Sequence, residues 1–195
     1  MIKQNKTKIL LAGGLIFFAV LARFLRIEYL PSFPNFEPLT AVSLLAGSAL
    51  GGIYSFVVPL SSVAFSDLII GNTNIFIFTW SAWMIIGMSG MFLKRQIRER
   101  KVFSGTLLLS GAGILAALFF YLYTNFGVWL LGGWYPKTGD GLLACYIAGL
   151  PFLRFNLLGN LIAVPVISAT FLNIWKKLSN FVYQKNKIQN SNLKI

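Results

Sequence analysis

The side chains able to orient a polar ligand in this chain are few and fall in short stretches. They are Glu37 in PSFPNFEPL, Asp67 in SSVAFSDLIIGN with Asn72 just after it, Asn125 and Trp129 in NFGVWLL, Trp134 and Asp140 in GGWYPKTGD, and Asn160 in FNLLGN. Their chemistry is recognition rather than bond making: carboxylates accept hydrogen bonds or pair with a cation, Asn amides donate and accept, and indole rings stack on flat ligands. These eight residues are the candidate substrate-binding set. No catalytic residue is assigned. The chain has no His and one Cys, so His-based triads and His-containing zinc sites are impossible, and no metal or cofactor is expected. It also lacks the G-x-x-x-x-G-K-[ST] phosphate loop, so ATP-driven work would require a partner. Cys145 reads as a small buried apolar residue in preference to a soft-metal ligand.

The elements that must position these groups are membrane spans. Of 195 residues, 56% are hydrophobic and 11% charged, against roughly 25% charged in a soluble domain. About 20 residues cross the hydrocarbon layer as a helix, so this length holds one all-α, polytopic membrane domain and nothing else. Lys3, Lys6 and Lys8 precede the first apolar run as in a secretory signal, but the run ends in Arg23-Phe24-Leu25-Arg26 with no small-residue cleavage site. It is therefore read as an uncleaved span. The apolar stretch 38–70 is too long for one crossing, and Gly51-Gly52 near its middle divides it in two. A six-helix transmembrane bundle results, with spans at about 9–26, 38–50, 53–70, 75–93, 103–124 and 155–175 in a domain of residues 1–183. Residues 184–195 read as a disordered polar tail.

The basic residues fix the orientation of this bundle. With six spans and a cytoplasmic start, Lys3, Lys6, Lys8, Lys94, Arg95, Arg98, Arg100, Lys101, Lys176, Lys177, Lys185, Lys187 and Lys194 all face inward, and only Arg23, Arg26, Lys137 and Arg154 face outward. Both termini are then cytoplasmic, in the inner membrane of a bacterium. Of the acids, only Glu99 is inside. The net charge of +12 is thus a cytoplasmic property, read as topology and contact with anionic lipids rather than nucleic acid; docking of an acidic cytoplasmic protein is the other use of such a face.

Two readings stand for the outer polar residues. Arg23 or Arg26 can pair with Asp67 or Glu37 to hold helices together, or the polar groups can line an outward-facing pocket with aromatic walls. Residues 125–151, with Trp129, Trp134 and Tyr135 around Gly132-Gly133 and a short apolar piece after Asp140, read as an extracellular lid or re-entrant element; an aromatic interface belt is the alternative. Small residues four apart, such as Gly47 and Gly51 or Gly113 and Ala117, permit close helix contact.

FPNFEPLTAVSLLAGSALGG, PLSSVAFSDLIIG, TNFGVWLLGGWYP and GLLACYIAGLPFLRFNLLGN resemble recurrent segments of a bacterial family of uncharacterised small membrane proteins. The likeness covers most of residues 30–165. In size, span number, basic cytoplasmic ends and outer polar cluster, the chain also resembles the substrate-binding S components of energy-coupling-factor vitamin transporters. This second resemblance implies capture of a vitamin-like small-molecule ligand on the outer side, in association with a transmembrane coupling subunit and cytoplasmic ATPases. The Ala-x-x-x-Ala motif often found in the first span of S components is absent here, where Ala12 is followed by Ile16. The expected function is a non-enzymatic substrate-capture subunit of a micronutrient importer. An ion-coupled secondary transporter and a structural or assembly protein without a ligand are the competing classes.

Overall fold

The computed structural model describes residues 2–33, 35, 36 and 38–192, and all its regular elements are helices. They are α1 (Ile2–Tyr29), α2 (Leu39–Leu45) continued by a π-helical turn (Ala46–Leu50), α3 (Tyr54–Ile70), α4 (Phe76–Ser89) continued through a 3-10 turn (Gly90–Leu93) into α5 (Lys94–Glu99), α6 (Val102–Leu131) and α7 (Gly139–Asn192). Four of the rods are long and apolar enough to cross a membrane: Asn5–Tyr29, Phe76–Glu99, Val102–Leu131 and Gly139–Phe181. The chain is a helical membrane protein. Two shorter apolar helices, Leu39–Leu50 and Tyr54–Ile70, make up the rest of the bundle, so it is not a set of six equivalent spans.

The break between these shorter helices falls where the glycine pair predicts. Gly51 and Gly52 have φ of 67° and 59°, a region open to glycine at little cost. Two lysines gather there: Lys8 Nζ donates to the Leu50 carbonyl at 2.9 Å, and the Lys94 side chain lies against Gly51. Lys176 Nζ donates to the Arg100 carbonyl. The basic stretches of α1, α5 and α7 therefore share one end of the bundle.

Every residue from Leu39 to Leu50 is buried, and α2 with its π turn is packed by α1, α3, α4, α6 and α7. Twelve residues rise only about 18 Å, little more than half the hydrocarbon thickness. Since Leu50 lies at the basic end, Leu39 begins deep inside the bundle, with Asn35 and Phe36 half-buried and Pro38 buried in the link ahead of it. Phe33 fixes this link edge-on against Phe155 of α7, with ring centroids 5.4 Å apart. Irregular backbone at membrane depth is tolerated only where protein or a cavity surrounds it. Pro31, Pro34 and Pro38 reduce the demand further, because proline brings no N–H to satisfy.

Here the sequence reading needs correction. Residues 125–151 are largely regular: Asn125 to Leu131 are the last turns of α6, residues 132–138 are a short link, and α7 starts at Gly139 rather than near 155. Pro151 and Arg154 suggested a boundary, yet Pro151 lies inside α7. Nearby, the Tyr146 carbonyl accepts from Tyr121 Oη at 2.6 Å, which ties this stretch of α7 to α6. At the other end α7 is helical through Asn192, across most of the stretch read as a disordered tail. Extending an existing helix costs far less than nucleating one.

Glycines set the spacing of α2, α3 and α4. A Cβ on Gly47 would strike the Gly87 carbonyl, one on Gly90 would lie 2.6 Å from the Leu44 carbonyl, and one on Gly87 would strike the Ser55 carbonyl and lie 2.8 Å from Pro59 Cγ. These backbones touch directly. Gly87→Val should lower stability by about 1–3 kcal/mol through overpacking, read as an earlier thermal transition in detergent. Gly13→Ala, where a Cβ meets nothing within 4 Å, should be neutral or stabilising because alanine favours the helix.

Candidate functional site

Two helical hairpins place the polar side chains at the end of the bundle remote from Lys8, Lys94 and Lys176. In the first, Gly71 ends α3 with φ of 89° and α4 returns after a short turn. Asp67, one turn before the end of α3, thereby comes beside Trp80 in the second turn of α4. Trp80 Nε1 donates to Asp67 Oδ2 at 2.7 Å, and Arg23 Nη1 of α1 pairs with Asp67 Oδ1 at 3.1 Å. Arg23 also donates to Ser66 Oγ. The Asp67 and Arg23 side chains are 9% and 14% exposed. This carboxylate joins α1, α3 and α4 and does not line the cavity described below. Of the two readings for Asp67, the structure gives the helix-holding pair; the Trp80 bond was not anticipated.

The second hairpin, α6 and α7, builds the cavity. Thr124, Asn125 and Val128 share one face of α6, and Cys145, Gly149 and Phe152 share the facing stripe of α7. Trp134 and Tyr135 of the link stand over one side, Thr79 approaches from α4, and Asn35, between α1 and α2, closes another wall. The space measures about 290 Å³. Gly149 makes room for the Asn125 amide, since a Cβ there would overlap it. That amide is oriented by donation to the Tyr121 carbonyl at 2.8 Å, which leaves Oδ1 as an acceptor. Cys145 Sγ lies 3.4 Å from the Asn125 carbonyl and forms part of the wall.

Deeper in, a space of about 20 Å³ lies among Asn35, Thr124, Asn125 and Asn156, large enough for a single water. Behind it Asn160 Nδ2 donates to Asn156 Oδ1 at 2.9 Å and to the Gly113 carbonyl at 3.2 Å. Both Asn156 and Asn160 are buried. Asn156 also lines that small space. The result is a file of neutral amides running from the cavity into the bundle. Among the described residues, no Asp, Glu, Lys or Arg lines either space. A second recess of about 450 Å³ shares Ile75, Val128 and Trp134 with the first and adds Thr73 and Asn74. Trp134, 83% exposed, thus stands between two openings.

The eight candidates separate accordingly. Asn125 and Trp134 line the cavity, and Asn160 supports it through Asn156. Asp67 is in the interhelical pair. Asn72 is in the exposed α3–α4 turn, where its Oδ1 accepts from the Thr73 amide at 2.7 Å. Trp129 faces the α6–α7 link: its Nε1 donates to the Pro136 carbonyl at 2.9 Å, and Lys137 Nζ sits 5.5 Å from its ring centre. Lys137 also donates to the Leu130 and Gly132 carbonyls at 3.0 and 2.9 Å, closing the C-terminus of α6. Asp140 is exposed in the first turn of α7, where a carboxylate complements the helix dipole. Glu37 lies outside the described residues. Asn35, Thr79 and Thr124 were missed; the hydroxyls are single polar groups in apolar helices, and Asn35 is hidden in a proline-rich stretch. Among the described residues no three His, Cys, Asp or Glu side chains converge as a metal site would require.

Residues 3–182 match a family of unknown function, DUF6580, and the chain belongs to that family. No curated protein and no solved structure matches the chain.

Asp67→Ala removes the acceptor of both Arg23 and Trp80 and should cost on the order of 3 kcal/mol, as for other broken buried pairs. The loss is measured as a lowered unfolding midpoint. Asp67→Asn, which keeps an acceptor for the indole, should lose less.

Proposed function

We propose that this member of a family of unknown function is a membrane-embedded substrate-capture subunit of a small-molecule importer, with its ligand held in the Asn125 cavity. The observation that carries the reading is the cavity wall itself: aromatic and aliphatic faces with a few oriented amides and hydroxyls, at the end of the bundle away from Lys8, Lys94 and Lys176. A space of this size sits at the lower limit of ligand pockets, roughly 300–1,000 Å³. The wall supplies acceptors at Asn125 Oδ1 and Thr124 Oγ1, whose proton is donated to the Phe120 carbonyl at 2.7 Å, and the amide of Asn35 lines it as well. An uncharged ligand carrying a carboxamide or ring-amide group, as many vitamin-like compounds do, complements that set. An ionic ligand would lose its hydration there without a counter-charge from the described residues. Trp134 would cover the bound ligand by stacking.

The positive-inside rule places the lysine end in the cytoplasm, and the cavity then opens outward. The S-component-like reading adds a transmembrane coupling subunit and ATPases to drive release. A self-sufficient ion-coupled carrier is less well served, because Asp67, the buried carboxylate among the described residues, is already engaged by Arg23 and Trp80.

The test is purification of the full chain from native membranes in mild detergent, with mass spectrometry of extracted small molecules and copurifying proteins. One uncharged compound per chain is expected, lost from Asn125→Leu and Thr124→Val and retained by Asn72→Leu. Bound ligand should also slow alkylation of Cys145, the sole thiol of the chain. A wild-type protein without ligand, or equal retention by all variants, would turn the assignment toward a structural or assembly protein.

A further inference from the structure

Far from the amide cavity, α1 and α7 leave between them a cleft of about 400 Å³. Its walls repeat at helical spacing, with Leu10, Gly14 and Phe18 on α1 and Val166, Thr170 and Ile174 on α7. The hydroxyl of Thr170 donates to the Val166 carbonyl at 2.9 Å, so this wall spends its donor internally. Gly14 cuts away one side of α1, where a Cβ would meet nothing within 4 Å.

We infer that this cleft binds an anionic phospholipid, one acyl chain lying between α1 and α7 and the headgroup resting on Lys6 and Lys177. The length of the cleft favours lipid over a partner helix. Each wall rises through eight residues, roughly 12 Å, close to one leaflet of a hydrocarbon layer about 30 Å thick. A crossing helix would need an apolar path through both leaflets, whereas an acyl chain needs one. Charge supplies the second argument. Following the same helical faces toward the basic end, one turn before Leu10 is Lys6 and three residues after Ile174 is Lys177, both exposed. Their neighbours Lys8 and Lys176 are engaged by the Leu50 and Arg100 carbonyls. Lys6 and Lys177 therefore bracket the cleft at headgroup level, where ammonium groups attract anionic lipid.

Native mass spectrometry of the full chain in mixed micelles of phosphatidylglycerol and phosphatidylcholine tests the assignment. One phosphatidylglycerol should be retained, preferred over phosphatidylcholine on the order of tenfold. Lys6→Gln with Lys177→Gln should abolish the preference, and Gly14→Leu, which fills the cleft at a helix-compatible position, should remove the retained lipid of either kind. Arg95→Gln with Arg98→Gln deletes the same charge at the same end, away from the cleft, and should change nothing. The inference is overturned if wild type shows no preference, if the arginine pair abolishes it as fully as the lysine pair, or if Gly14→Leu keeps its lipid. Thermal unfolding of each variant confirms that the comparison is between folded proteins.

Discussion

Hydrocarbon offers no partner to a backbone N–H or C=O, and the arrangement of this bundle follows from how one short helix meets that constraint. The twelve residues from Leu39 to Leu50 cannot cross the membrane, and the link before them is irregular. Both are permissible only if other helices enclose them. Accordingly every residue of the short helix is buried, the three prolines before it lower the number of donors, and its C-terminal end receives the ammonium of Lys8. The long rods serve as its wall. Asn35 reaches the cavity because the link has to descend to meet Leu39.

How far this was legible in the sequence depended on whether a signal was local. Gly51-Gly52 announced a break by conformational preference alone, and the break is there. Lysines and arginines spaced along the chain predicted a common end, and Lys8, Lys94, Arg100 and Lys176 meet at it. Arg23 and Asp67 were a foreseeable pair. What failed needed knowledge of neighbours. Pro151 looks like a stop until it is seen inside a helix packed along α6; Trp129 looks like a stacking residue until its indole is found on Pro136. Asn35 carries no periodicity, so nothing in the sequence placed it opposite Asn156. Gly87 and Gly90 are ordinary in an apolar helix and became meaningful only against Gly47 and Ser55.

Among the described residues the cavity wall is polar without being charged, and the low dielectric around it accounts for that choice. A lone carboxylate or ammonium at this depth would be strongly disfavoured, whereas an amide needs only hydrogen bonds to be satisfied. Asn160 and Asn156 satisfy each other in part, and Asn160 also donates to the Gly113 carbonyl. The one buried ion pair described here is kept apart in another hairpin, where Trp80 takes the second oxygen of Asp67. Asp67 and Arg23 thus hold helices together, whereas Asn125 and Thr124 face space.

Two parts of the bundle are also joined by different forces. Around α2, α3 and α4 the contact is backbone on backbone through Gly47, Gly87 and Gly90, which leaves no slack for a small shift. Between α6 and α7 at the cavity level the contacts are side-chain hydrogen bonds, from Tyr121 to the Tyr146 carbonyl and from Tyr146 to the Leu122 carbonyl, with the thiol of Cys145 beside the Asn125 carbonyl. Such bonds lengthen or exchange at modest cost, each worth about 1 kcal/mol net, while interpenetrating backbones do not yield. A ligand larger than the resting cavity would therefore gain its room from the α6–α7 hairpin, which supplies most of the cavity's lining.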